Sequence, residues 1–513
     1  MARLLLFVIG GSLPMAAKWW TLVAVCTGLF VLLLDITIVN VALPDIQREL
    51  DATLSDLQWV IDAYALVLAA LLLTAGSLAD LFGRKRVFVI GVALFGLASF
   101  VCGIAPNILS LTLARGAQGI GGAAMFATAL ALLAATFSGR ERGIAFGVFG
   151  AVTGVAVAVG PVLGGVLTTG LSWRWIFWVN LPVCLFAIIV TLRKVAESKD
   201  PNAGAPDWIG FVTFSSALGL LVFGLIDAGT RGWADPLILG VLGGSAMLLV
   251  VFVVSQLKQR KPMFDLTLLR KPTFVGGLVA AFAVSSSVFS LLAYLVIYLQ
   301  NVLGYSAVEA GVRLLFLSIA SFFSASIAGR LTAKIPVKWL IAPGFLTLGV
   351  GLSLLLLIDV DSSWTALIPG LTVCGVAVGM INVPLASTAV GVVATDRAGM
   401  ASGANSTFRQ VGVATGIAAL GSIFSRIVTV DINDQLAGTA GAGQADQIAA
   451  AVTGGQIQRV VEMAPASARD MIEQVATVGF VDALNQITLI AAVIAFVAAA
   501  FCFFLIRQED FVN

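Results

Sequence analysis

Residues 76–86 read Gly76-Ser77-Leu78-Ala79-Asp80-Leu81-Phe82-Gly83-Arg84-Lys85-Arg86. One acid, Gly83 and three consecutive bases lie between two apolar runs, 57–79 and 87–105, with Gly76 near the end of the first. Each run approaches the roughly 20 residues that a membrane-crossing helix needs. Gly76 and Gly83 permit a tight turn. Asp80 is placed either to pair with Arg84 or to meet the positive N-terminal end of a neighbouring helix. A charged hairpin between two spans is therefore expected, with its bases on the cytoplasmic side.

The rest of the 513-residue chain agrees with a lipid solvent. Hydrophobic residues make up 59% and charged residues 11%, against about 25% charged in soluble domains. Mean hydropathy is +1.05. The chain contains no histidine, which removes imidazole metal sites and Ser-His-Asp chemistry and leaves proton work to Asp, Glu, Arg and Lys. No metal-ligand cluster and no GxxxxGK phosphate loop occurs, so neither a membrane enzyme nor a built-in ATPase is indicated. No cofactor and no metal is expected. A net charge of +2 gives no reason to expect nucleic acid. Cys26, Cys102, Cys184, Cys374 and Cys502 are scattered in or beside apolar runs and read as small hydrophobes.

Apolar runs predict fourteen spans: 19–43, 57–79, 87–105, 108–137, 144–169, 175–192, 208–228, 236–257, 273–300, 307–331, 339–358, 364–390, 398–424 and 479–506. With the N-terminus inside, 20 of the 29 Lys and Arg fall on inner segments. The outer segments hold Arg48, Arg174, Arg231, Arg426, Arg459 and Arg469, and Arg115, Arg313 and Arg409 lie within spans. This bias places both termini in the cytoplasm. Residues 1–18 form an N-terminal extension, whose first fourteen read as interfacial or mis-started rather than as a cleaved signal. Residues 19–200 form a six-helix bundle, 201–258 two inserted helices, 259–506 a second six-helix bundle and 507–513 a cytoplasmic tail. An outer loop at 425–478, amphipathic around 456–475, is expected to form a small hairpin or surface helix over the outer mouth. A faint repeat supports this 6+2+6 build: Gly329-Arg330-Leu331-Thr332-Ala333-Lys334 follows helix 10 as Gly76–Arg86 follows helix 2, without the Asp.

Helix 4 places Arg115, Gln118, Gly119 and Gly122 on one face. An Arg inside the membrane is costly and marks a functional site by default. Helix 5 carries Gly143, Gly147, Gly150 and Gly154, then Gly160-Pro161-Val162-Leu163-Gly164-Gly165, a spacing that lets backbones approach closely. Together with residues 76–86, these segments resemble the major facilitator superfamily, the glycine run of helix 5 its antiporters in particular. Trp173-Arg174-Trp175, with Asn180-Leu181-Pro182, is similar to a signature of the drug-exporter branch. Leu33-Leu34-Asp35-Ile36-Thr37, continuing to Asn40 and Pro44, is similar to the first-helix signature of the fourteen-helix drug:proton antiporters.

The resemblance covers essentially the whole chain. It implies an all-α major facilitator fold in a bacterial plasma membrane, exporting lipophilic, often cationic drugs against a proton gradient by alternating access. It implies proton coupling at Asp35. Arg115, whose charge would lower a neighbouring buried carboxylate's pKa, and Asp62, otherwise a solvated acid near the outer start of helix 2, are the further candidates for that role. Substrate contact is expected at Asp35, Gln58, Trp59, Asp62, Asn405, Phe408 and Arg409, and inner gating at Gly76, Asp80, Gly83, Arg84 and Lys85. Gly154, Gly160, Pro161, Gly164 and Gly165 form the antiporter motif. Arg313, near an outer end, is expected to snorkel. Small lipophilic substrates and membrane lipid are the expected partners of a monomer. Two departures stand out: residues 314–321 carry no acid, with Phe316 where proline is common, and position 81 is Leu where a base is frequent. The first argues against dications. An exporter of one lipid, siderophore or metabolite remains open on this scaffold; the helix 5 motif argues against an uptake symporter.

Overall fold

A backbone in lipid must satisfy its own hydrogen bonds, so apolar runs become helices. The computed structural model describes residues 17–52, 54–199, 206–259, 262–332, 334–394, 397–437, 442–454, 457, 461 and 468–511. The expected extension therefore falls almost wholly outside the described residues, as do the side chains of Gln58 and Pro161. No strand occurs among the described residues. The first lobe comprises α1 (Ala17–Leu50), α2 (Leu54–Phe82), α3 (Arg84–Gly103), α4 (Ile108–Thr136), α5 (Gly139–Gly170) and α6 (Trp175–Lys194). The inserted pair is α7 (Trp208–Arg231) and α8 (Pro236–Lys258). The second lobe comprises α9 (Pro272–Val302), α10 (Ala307–Leu331), α11 (Lys338–Leu355), α12 (Leu367–Gly391), α13 (Ala398–Leu436) and α14 (Arg469–Leu505). Among the described residues these fourteen helices follow the order of the fourteen expected spans, and thirteen of them, all but α5, are long and apolar enough to cross a membrane.

Three helices outrun the apolar runs that announced them. Ile46, buried on the continued face of α1, carries that helix to Leu50. Beyond residue 424, α13 turns polar on one side but keeps Phe424, Val428, Ile432 and Leu436 buried, a four-residue stripe. Ile472, Val475, Ala476 and Phe480 of α14 are buried in the same core. The expected 425–478 loop is thus corrected: both ends are helix, because an amphipathic stripe continues a helix after overall hydropathy has fallen. Within what remains, the short helix Ala445–Thr453 buries Ile448, Ala449 and Val452 on the second lobe. Residues 462–467, inside the stretch expected to be amphipathic, lie outside the described set.

Lipid supplies no hydrophobic drive between helices, so contact depends on close backbone approach. The glycines provide it at two related seams. A Cβ on Gly76 of α2 would overlap the Gly399 carbonyl of α13, and one on Gly143 of α5 would overlap the Gly329 carbonyl of α10. The faint repeat is thus visible as equivalent crossings, with Gly76 and Gly329 in corresponding places. Further along α5, Gly160 and Gly164 press on α1 at Thr37 and Ile38, whereas Gly165 meets Val308 of α10. The helix 5 motif thus packs α5 between α1 and the opposite lobe.

Candidate functional site

Asp35 sits midway along α1, fully enclosed by α3, α4 and α6. Arg115 Nη1 donates to its Oδ2 at 2.5 Å. Gln118 Nε2 and Asn180 Nδ2 donate to Oδ1 at 3.0 and 2.9 Å. Ser99 Oγ accepts from the same two amides at 2.7 and 3.3 Å and donates to the Phe95 carbonyl. Arg115 also donates to the Val60 carbonyl and the Gln118 side-chain oxygen. Its guanidinium lies 4.4 Å from the centroid of the Tyr64 ring. A buried charge is tolerable when paired and hydrogen-bonded on every side, and three donors to one carboxylate meet that condition. Gln118 and Asn180 stand in the quoted motifs without an assigned role. Ser99, one hydroxyl in an apolar run, gave no signal.

A cavity of about 700 Å³ lies between the lobes in the outer half. Arg115 and Tyr64 form part of its wall, whereas Asp35 is not among the lining residues. Asp62, partly exposed, faces this space directly. Across it, α13 presents Gln410, Val413, Ala414 and Ile417, and Trp233, Arg426 and Thr453 rim the outer mouth. Towards the cytoplasm the space ends where Gly403 of α13 packs on Leu72 and Leu73 of α2.

The remaining expected contacts point elsewhere. Trp59 stacks on Phe223 of α7 at 5.7 Å. Asn405 is buried and turned to the Gly277 carbonyl of α9 at 3.5 Å. Arg409 reaches back to Asn405 Oδ1 at 3.4 Å, and Phe408 is exposed. None of these four lines the cavity. The cavity face of α13 runs through positions 410, 413, 414 and 417, turned by roughly a third of a turn from the face that holds 405 and 409. Arg313, half-buried at the outer end, lies 3.5 Å over the Tyr305 ring and 5.1 Å from Trp364, and donates to the Glu309 carbonyl at 2.9 Å.

At the inner end, Asp80 meets both anticipated partners. Arg84 Nε and Nη2 donate to its Oδ1 at 2.9 and 2.8 Å. From the other lobe, the backbone N–H groups of Gly399 and Met400 donate to Oδ1 and Oδ2 at 2.9 and 2.8 Å. The carboxylate thus sits on the positive end of α13. Gly83 turns the chain at a φ of +110° that glycine alone adopts easily. Glu197, which sequence reasoning missed, accepts from the backbone N–H of Lys85 and Arg86 at the start of α3. Lys85 Nζ donates to the Leu192 carbonyl at 3.0 Å.

The inserted pair is fastened at its inner end by Asp207. Burial alone would raise its pKa, but the Gln256 amide, the Gly210 N–H, the Gln259 amide and the Met263 N–H hold the carboxyl below its usual value. Those donors lie 2.5 to 3.2 Å away.

Known proteins resemble this chain over most of its length. A family model described as Major Facilitator Superfamily matches residues 25–417. The multidrug resistance protein Stp of Mycobacterium tuberculosis is 38% identical over 417 residues, covering 81% of this chain and 78% of that protein. The tetracenomycin C resistance and export protein of Streptomyces glaucescens is 31% identical over 502 residues, covering 96% and 92%. Among solved structures, the human organic anion transporter MFSD10 superposes with a TM-score of 0.59 at 14% identity, covering 94% of this chain and all of that one, a likeness of fold.

Proposed function

The chain belongs to the major facilitator superfamily, as a multi-pass protein of the cell membrane, and from that premise we propose that it is a proton-driven exporter of lipophilic, often cationic drugs. The observation that carries this reading is Arg115, shared between an enclosed carboxylate and the wall of an outward-reaching cavity. Protonating Asp35 removes the charge that holds Arg115. A buried ion pair broken by loss of one partner costs about 3–5 kcal/mol, so Arg115 then gains by turning to the cavity. There its charge opposes a bound cation and favours release. Deprotonation towards the cytoplasm restores the pair and frees the cavity. Asp62 is the carboxylate available to a cationic substrate, since Asp35 is spent on three internal donors.

Alternating access is carried by the inner clasp, in which Asp80 spans the lobes and holds the cytoplasmic side shut while the cavity reaches outward. A second reading, export of one particular metabolite, is supported by the relative named for tetracenomycin C, which matches over nearly the full chain. A panel of dyes and antibiotics in pump-deficient cells, with and without an uncoupler, separates broad from narrow export.

The direct test is dye efflux from proteoliposomes under an imposed pH gradient without ATP. Wild-type protein is expected to transport. Asp35→Asn, which keeps size and hydrogen bonding but carries no proton, is expected to bind dye and fail at gradient-driven export. Undiminished gradient-driven export by Asp35→Asn moves coupling to Asp62.

A further inference from the structure

We propose that the inserted helix α7 is a wall of the substrate cavity and sets the size of substrate the cavity accepts. The seam between α2 and α13 explains why a wall is needed. The two helices touch near their inner ends, at Gly76 and Gly399 and again at Leu72 and Gly403, and enclose the cavity farther out. Helix α7 packs against both of them along this seam. On α2, Thr74 Oγ1 and Ser215 Oγ lie 2.8 Å apart, and Trp59 stacks on Phe223. At the outer end, Trp233 Nε1 donates to Ser422 Oγ of α13 at 2.7 Å. Behind α7, Ser245 of α8 donates to the Ala217 carbonyl, and α8 presents most of its own surface outward.

The face that α7 turns to the cavity is Val222, Leu225, Ile226 and Ala228, related by helical spacings of three and four. All four are apolar. The groups able to fix a ligand's orientation, among them Asp62, Arg115, Tyr294, Gln410 and Ser422, come from α2, α4, α9 and α13 and none from α7. This division matches how small-molecule sites work, with few polar groups orienting and apolar walls setting shape. Val222 and Leu225 are buried against their neighbours, so added side-chain volume there has the cavity as its outlet.

The proposal rests on the cavity being the substrate path, and two arms keep the two claims apart. The first needs no ligand. The five native cysteines are buried, so Leu225→Cys, Val413→Cys on the facing wall and Val254→Cys on the exposed side of α8 are treated from outside with a charged, water-soluble thiol reagent. Positions 225 and 413 are expected to react and 254 to stay unmodified. Reaction at 413 but not at 225 overturns the role of α7; reaction at neither overturns the cavity reading with it. The second arm measures displacement of bound ethidium by tetraalkylammonium ions from tetraethyl to tetrapentyl. Leu225→Trp is expected to weaken the largest relative to the smallest by about tenfold, the low end of what a methylene misfit is worth. Leu225→Ala is expected to move the optimum to larger ions. An equal effect at every size, or a size shift from Ala414→Trp alone, overturns the proposal.

Discussion

Replacing Gly399 by alanine should open the cytoplasmic side. A Cβ at this position would overlap the Gly76 carbonyl and Asp80 Oδ1. Neither atom can step aside. The carbonyl belongs to the α2 backbone, and Oδ1 is held by Arg84 Nε, Arg84 Nη2 and the Gly399 N–H at 2.8 to 2.9 Å. Separation of α2 from α13 is the remaining relief, and it also weakens the Asp80 contacts to Gly399 and Met400. Overpacking of this kind costs about 1–3 kcal/mol. The strain falls on the inner-closed arrangement alone, so its population relative to the inner-open one should drop by about 5- to 150-fold. Spin labels at Arg86→Cys and Lys334→Cys, both exposed at the inner end, report the separation of the lobes by pulsed dipolar spectroscopy. The expected result is a longer inner distance in Gly399→Ala. Gly240→Ala in α8, where an added Cβ meets nothing within 4 Å, should leave the distribution unchanged. A folded Gly399→Ala protein with the wild-type inner distance would refute the assignment of this contact as the inner seal.

Asp80→Asn removes the charge shared by Arg84 and the α13 terminus. Transport is expected to slow several-fold while ethidium binding in detergent stays near wild type; equal loss of both points to misfolding or a substrate role. Asp207 has a folded pKa held below its unfolded value by Gln256 and its other donors. Its stabilisation is therefore complete above the unfolded carboxylate range and lost as pH falls through the folded pKa. The melting-temperature gap between wild type and Asp207→Asn should be full at pH 7 and shrink towards pH 3, and a gap that widens on acidification contradicts this.

What the sequence revealed, and what it hid, follows from the solvent. In lipid an apolar run of sufficient length has one outcome, so fourteen spans and their order could be read directly. Their ends could not wherever a buried stripe carries a helix past its apolar run, as Val428, Ile432 and Leu436 do in α13. The charge on Asp35 demanded a partner, and Arg115 was the evident candidate; the geometry unites them at 2.5 Å. The phase of α13 was hidden, since small and polar residues occur on every side of it. Asn405 and Gln410 look equally suited to a cavity, yet Gln410 alone lines it. Helix α7 presents the hardest case. Val222, Leu225 and Ile226 serve equally well against lipid, another helix or a lipophilic drug, because all three are apolar surroundings. A polar substrate would have forced a readable polar wall. Where the expected cargo shares the chemistry of the membrane, the residues that shape its cavity carry no compositional mark, and packing alone identifies them.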